Sequence, residues 1–94
     1  MTILDLIATK IIKEQELIIG PVAWLQAGKV KGINLIDEKT SSVSIENTDA
    51  KLVIDGLVDQ YEHLFGRASR EVCRDAAASL VADLSPDQVP SSLK

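Results

Sequence analysis

Aromatic residues and cysteines are scarce in this chain of 94 residues, which has one Trp, one Tyr, one Phe and one Cys. The single cysteine, Cys73, excludes a disulfide framework within the chain and fits a reducing compartment. Because aromatic side chains are so few, the core has to be built from Ile, Leu, Val and Ala. The apolar fraction of 46% and the charged fraction of 26% predict one globular domain over residues 1–94.

Long apolar runs are missing, and the charge has the wrong sign for binding to anionic surfaces. No stretch approaches the roughly 20 continuous apolar residues of a membrane span, and the N-terminal sequence MTILDLIATKIIKEQE lacks the basic start of a signal peptide. The net charge of −4 offers little attraction to nucleic-acid phosphates or to anionic lipid. We expect a cytoplasmic protein that does not contact a membrane.

Motifs for catalysis or for cofactor binding are missing as well. The chain has no phosphate-binding loop, no Cys/His zinc spacing and no nucleophile elbow, and the segment DEKTSSVSIENT has Ser where a calcium loop needs Gly. His63 and Cys73 are the candidates for nucleophilic chemistry, but the helical spacing predicts a buried, inert thiol. Three acidic residues on one helical face predict a solvated surface: Asp55, Asp59 and Glu62. We therefore expect no enzymatic activity, no metal and no cofactor.

Apolar residues recur at three- and four-residue steps in four segments, which predicts four helices. The segments are about 3–18, 22–30, 49–65 and 67–84. Gly20 and Gly66 are expected to close the helices that precede them, and Pro21 fits the first turn of the helix that follows. A single helix kinked at Pro21 is the alternative.

Between the second and third helices, apolar and polar residues alternate in two short runs, which predicts a β-hairpin over about residues 33–46. The alternating apolar residues are Ile33, Leu35, Val43 and Ile45. Because an isolated two-stranded ribbon is marginally stable, the hairpin must pack on helices or pair with a second copy. After the fourth helix, residues of about 85–94 predict a short capped turn and a tail, of which only Val89 and Leu93 are candidates to dock.

A shift of 46 residues aligns the chain with itself, so that residues 6–30 fall on residues 52–76. Nine pairs are apolar in both segments, and three further pairs are identical: Leu6/Leu52, Glu16/Glu62 and Gly20/Gly66. We interpret this register as two helix–Gly–helix units, about 3–30 and 49–76, each with an apolar face that the other can bury. The predicted fold class is mostly α, with two such units and a short β-hairpin between them.

The corner IIGPVA at residues 18–23 resembles a family of small bacterial helical modules with an Ile-Gly-Pro-x-Ala corner. These modules are appended to serine/threonine kinases and to signalling proteins with roadblock-type domains. The second corner, LFGRAS, is similar but has Arg67 in place of the proline. The resemblance implies a non-catalytic interaction module in signalling and carries over no binding residues.

Two alternatives to an interaction module remain. The segment LFGRASREVCR around Gly66 is similar to the turn of a helix-turn-helix DNA reader, which makes a nucleic-acid-binding regulator the second hypothesis. However, charged residues occupy the positions at which such a unit needs small or apolar ones: Glu62, Arg67 and Asp75. The third hypothesis is a small-molecule carrier with a pocket between the two units.

The repeat register also predicts an interface on the second helix. Trp24 aligns with Arg70 and Leu25 aligns with Glu71, so two positions that are charged in the second unit are large and apolar in the first. If the units are alike, both positions face water, and an exposed Trp beside a Leu, close to Val22, is typical of a protein interface. We expect a homodimer, the commonest assembly, that forms through Val22, Trp24 and Leu25. The alternative is that Trp24 fills the core.

Overall fold

The computed structural model describes residues 3–37, 42–45 and 49–93, which form four α-helices, two β-strands and two short 3₁₀ turns. In chain order these are α1 (Ile3–Ile19), α2 (Val22–Gly28), β1 (Ile33–Asp37), β2 (Ser42–Ile45), α3 (Ala50–Phe65), α4 (Arg67–Val81), and the turns Pro86–Gln88 and Ser91–Leu93. The predicted fold class is confirmed, since two helix pairs flank one antiparallel hairpin. None of the described helices combines the length and the apolar character that crossing a bilayer requires.

The two helix junctions close in the same way. Gly20 has a φ of +76°, and its N–H donates to the carbonyl of Glu16 at 2.9 Å. Gly66 has a φ of +92°, and its N–H donates to the carbonyl of Glu62 at 2.8 Å. Glycine adopts positive φ without the steric cost that a Cβ brings, which explains why both corners carry it.

The second helix of each unit also starts with the same bond. The N–H of Ala23 donates to the carbonyl of Gly20 at 3.0 Å, and the N–H of Ser69 donates to the carbonyl of Gly66 at 3.1 Å. The first pair lies 46 residues before the second, as the register requires. At the first corner α1 ends before Gly20 and α2 begins after Pro21, so the chain breaks here into two helices and does not continue as one kinked helix.

The two units meet through reciprocal hydrogen bonds. Gln15 of α1 donates from Nε2 to the carbonyl of Ser69 in α4 at 3.1 Å, and Tyr61 of α3 donates from its hydroxyl to the carbonyl of Ala23 in α2 at 2.6 Å. Positions 15 and 61 are equivalent in the register, and so are 23 and 69. Each unit therefore gives the other the same bond, which is the pattern of an isologous interface.

Burial follows the register as well. Six equivalent pairs are buried in both units: Ala8/Ile54, Ile11/Leu57, Ile12/Val58, Gln15/Tyr61, Ala23/Ser69 and Ala27/Cys73. The core that they form is mainly aliphatic, as the scarcity of aromatic residues predicts. The two units thus use the same positions to build one shared core.

The hairpin packs on α1 of its own chain. β1 and β2 pair antiparallel, and the outer edge of β2 is held by two side chains of α1. The N–H of Val43 donates to Oγ1 of Thr9 at 3.3 Å, and the N–H of Ile45 donates to Oδ1 of Asp5 at 2.8 Å. The tip of the predicted hairpin and its last residue lie outside the described residues.

Two helices end earlier than the periodicity predicts. α2 ends at Gly28 and not near residue 30, and α4 ends at Val81 and not near residue 84. After each helix the chain continues in i→i+3 bonds, such as those from Val30 to Ala27 and from Leu84 to Val81. Bonds of this kind tighten the last turn of a helix. Because the chain keeps turning in this way, the spacing of its apolar residues stays similar to that of a helix for a few residues after the α-helix ends.

The C-terminal segment docks more completely than the sequence predicts. Both the N–H and the hydroxyl of Ser92 donate to Oδ1 of Asp55, at 2.9 and 2.6 Å. Leu93 and Pro90 are buried, and Val89 is half-buried. The docking of Val89 and Leu93 was predictable from their apolar character, whereas that of Ser92 depends on an acceptor 37 residues away in the sequence.

Candidate interaction surface

The three residues predicted to form an interface differ in their exposure. Leu25 is 68% exposed, whereas Val22 and Trp24 are half-buried and Trp24 packs against the core. The indole Nε1 of Trp24 also donates to Oε2 of Glu16 at 2.7 Å. The expected pair of exposed side chains is therefore reduced to Leu25, because Trp24 is held against its own chain.

The second unit makes the same link with a different residue. Arg70, the equivalent of Trp24, donates from Nε to Oε2 of Glu62 at 2.8 Å, and from Nη2 to Oε1 of Glu62 at 3.1 Å and to Oδ1 of Asp59 at 2.8 Å. Hydrogen bonding to Arg70 lowers the pKa of Glu62 below its ordinary value. In both units a glutamate of the first helix thus binds a side chain of the second helix across the corner. Trp24 and Arg70, the two residues that are bound, are both half-buried.

At the end of α1, two strongly exposed apolar residues are not predicted by the sequence. Leu17 is 80% exposed and Ile18 is 63% exposed at the end of α1, although the helical period assigns both to the buried stripe. The register contained a signal for Leu17, because its equivalent in the second unit is His63, a polar residue. The equivalent of Ile18 is Leu64, which is also exposed.

The residues considered for nucleophilic chemistry do not form a reactive pair. Cys73 is fully buried and His63 is exposed. Burial raises the pKa of the Cys73 thiol to about 11, while a hydrogen bond from Nε2 of Gln15, 3.4 Å from Sγ, partly opposes that increase. A thiol with this pKa is protonated at neutral pH and is a poor nucleophile.

The acidic side chains of α3 are engaged within the chain. Asp55 accepts two hydrogen bonds from Ser92, and Asp59 and Glu62 accept from Arg70. In the part of the chain that the structure describes, no group of three or more His, Cys, Asp and Glu side chains is arranged to hold a metal ion. Each of these carboxylates is therefore bound by another residue of its own chain.

Comparisons with protein-family models, with curated proteins and with solved structures find no match to this chain. The resemblance of its two corners to small bacterial signalling modules stays a prediction. The geometry of the surface is therefore the main guide to function.

Proposed function

We propose that this protein is a small, non-catalytic interaction module of the cytoplasm that works as a homodimer in signalling or regulation. The observation that carries the proposal is a difference between the two units at their surfaces. Leu17 and Leu25 are among the most exposed apolar residues of the first unit, and the second unit has His63 and Glu71 at the equivalent positions.

The fold does not need leucine at either position. His63 and Glu71 are exposed, and the second unit forms the same corner and the same buried positions with these polar residues. Leu17 and Leu25 thus add apolar surface without adding to the core. Because burial of a leucine side chain contributes about 1.5–3 kcal/mol relative to exposure, a partner that covers both gains a substantial part of its binding free energy from them.

Three of the most exposed apolar residues lie close together along the chain. Leu17, Ile18 and Leu25 fall within nine residues that span the Gly20–Pro21 corner. Singly scattered apolar residues are normal on a protein surface, whereas grouped ones are typical of an interface. Leu17 and Ile18 also line the same groove between α1 and α4, and this grouping supports protein–protein interaction as the use of the surface.

The two alternative functions have less support. In the segment similar to a helix-turn-helix, Arg70 is bound by Glu62 and Asp59, so its charge is largely neutralised for binding to phosphates. The buried centre between the units, where a carrier would enclose its ligand, is occupied by the aliphatic core, and the groove that remains between α1 and α4 lies open at the surface. Neither alternative is favoured by a specific observation.

Sedimentation velocity over a range of protein concentrations tests the proposal. We expect a dimer for the wild type, and a dissociation constant raised by about tenfold for Leu17→His and for Leu25→Glu. Both variants install the residue that the second unit already carries, so helix content should be kept. Leu52→Glu is a matched control, because Leu52 is 66% exposed but lies on α3, and it should leave the dimer intact. A wild type that stays monomeric at millimolar concentration would refute the proposal.

A further inference from the structure

An open groove runs between α1 and α4, beside the exposed end of α1. Four residues of α1 and three of α4 line its walls: Lys10, Glu14, Leu17 and Ile18, and Val72, Asp75 and Ala76. Ala76 is buried and Val72 is half-buried, whereas Leu17 and Ile18 are mostly exposed. The groove therefore has an apolar interior that continues onto an exposed apolar edge.

Charged residues lie on both walls: Lys10 and the half-buried Glu14 on α1, and Asp75 on α4. Lys10 is exposed on the α1 wall and Asp75 is exposed on the α4 wall. Within the described part of the chain, neither side chain forms a hydrogen bond or an ion pair. A rotation of 180° about the length of the groove places the α1 wall of one copy against the α4 wall of another. In this arrangement the wall that carries Lys10 in one copy faces the wall that carries Asp75 in the other.

We propose that a second copy of this chain docks on the groove, with its own Leu17 and Ile18 against the apolar interior and with Lys10 of each copy paired with Asp75 of the other. This inference rests on the proposed function, since it assigns the part of the self-association surface that contains Leu17 and Ile18. In an isologous dimer every contact occurs twice, so two ion pairs flank the apolar centre. These pairs oppose the repulsion between two chains that each carry a net charge of −4.

Charge reversal tests the inference with the full chain. Lys10→Glu makes every charged residue of the groove acidic, because Glu14 and Asp75 also line it. Asp75→Lys places a lysine on both walls of the groove. Each variant alone should raise the dimer dissociation constant about tenfold. An equimolar mixture of the two should form a heterodimer that is tighter than either homodimer, because each reversed residue then faces an opposite charge. Native mass spectrometry distinguishes the three dimers.

Two matched controls separate the groove from a general effect of net charge. Lys29→Glu and Asp83→Lys make the same changes of charge at exposed residues that do not line the groove, and both should dimerise like the wild type. The inference is overturned if Lys10→Glu and Asp75→Lys dimerise normally, or if their mixture shows no preference for the heterodimer. In that case a wild-type dimer that is weakened by Leu25→Glu still supports the proposed function, whereas a monomeric wild type overturns both.

Discussion

Replacing Tyr61 by Phe removes one of the two hydrogen bonds that the helix units exchange, while the ring stays buried. The lost bond joins the phenol to the carbonyl of Ala23 at 2.6 Å. That carbonyl lies within α2 and keeps its place in the helical hydrogen-bond ladder, so it is not left without a donor. We therefore expect the free energy of unfolding to fall by about 1–2 kcal/mol. Burial raises the pKa of Tyr61, so the phenol stays protonated and donates throughout the neutral range.

Gln15, the equivalent residue in the first unit, should behave differently. Its Nε2 donates to Ser69 and to Cys73, but within the described residues its buried Oε1 has no hydrogen-bond partner. Substitution of Gln15 by Met, which has a similar volume, removes the two bonds and also removes the buried oxygen, whose desolvation costs about 1–3 kcal/mol. Since the two effects oppose each other, we expect Gln15→Met to stay within about 1 kcal/mol of the wild type.

Urea unfolding followed by far-UV circular dichroism measures both variants, and an unchanged dependence on urea concentration shows that the comparison is valid. In a thermal scan, Tyr61→Phe should lower Tm by roughly 5–15 °C for a domain of this size. The reasoning fails if Gln15→Met costs more than Tyr61→Phe, because the oxygen of Gln15 must then have a partner. It also fails if Tyr61→Phe is as stable as the wild type.

Three further predictions concern single positions. Stability should fall by about 2–3 kcal/mol as the pH rises from about 9 to about 11, because the thiol of Cys73 ionises near 9 when unfolded but near 11 when folded; urea titrations of Cys73→Ala should lack this part of the decline. Gly66→Ala should cost about 1–3 kcal/mol in thermal unfolding because of its φ of +92°, whereas Gly56→Ala, inside α3 with room for a Cβ, should gain up to about 1 kcal/mol. Asp55→Ala should release Ser92, seen by NMR as faster exchange of its amide hydrogen.

Each of these predictions has a result that would contradict it. A native Cys73 thiol that reacts with a disulfide reagent at neutral pH as fast as the unfolded chain would show that it is not buried. Equal costs for the two glycine substitutions would remove backbone strain as the reason for Gly66. For the C-terminal segment, Asp59→Ala is the control, because it removes the same charge without a bond to Ser92; equal exchange rates in both aspartate variants would contradict the prediction.

The corners of the fold are predictable because two local signals coincide there. The apolar period stops, and a glycine follows that can adopt positive φ, at both Gly20 and Gly66. The register between the units then allows the exposure of a residue in one unit to be predicted from the residue at the equivalent position of the other. The exposure of Leu25 follows from Glu71 in this way, without knowledge of how the helices pack.

Other features depend on contacts that no local pattern contains. The apolar period defines a stripe on α1 but not its width, so it misses the exposure of Leu17 and the burial of Gln15, both of which depend on where α4 packs. Trp24 is half-buried because it packs against the core in addition to its bond to Glu16, and the charge of Arg70 at the equivalent position does not reveal this. Partner and pathway are not encoded in helical spacing at all, so function stays a proposal.

The packing of α1 has a consequence for the order in which the helices and strands can pack while the chain is being synthesised. Among the four described helices α1 is made before the others, yet it packs most extensively against α4, and Gln15 donates to a carbonyl that lies 54 residues later. At ribosomal rates of about 5–20 residues per second, its apolar face stays uncovered for several seconds. The hairpin becomes available sooner, because the amide that Thr9 accepts from is only 34 residues away. α2 and then β2 are thus able to shield part of α1 before α4 is made.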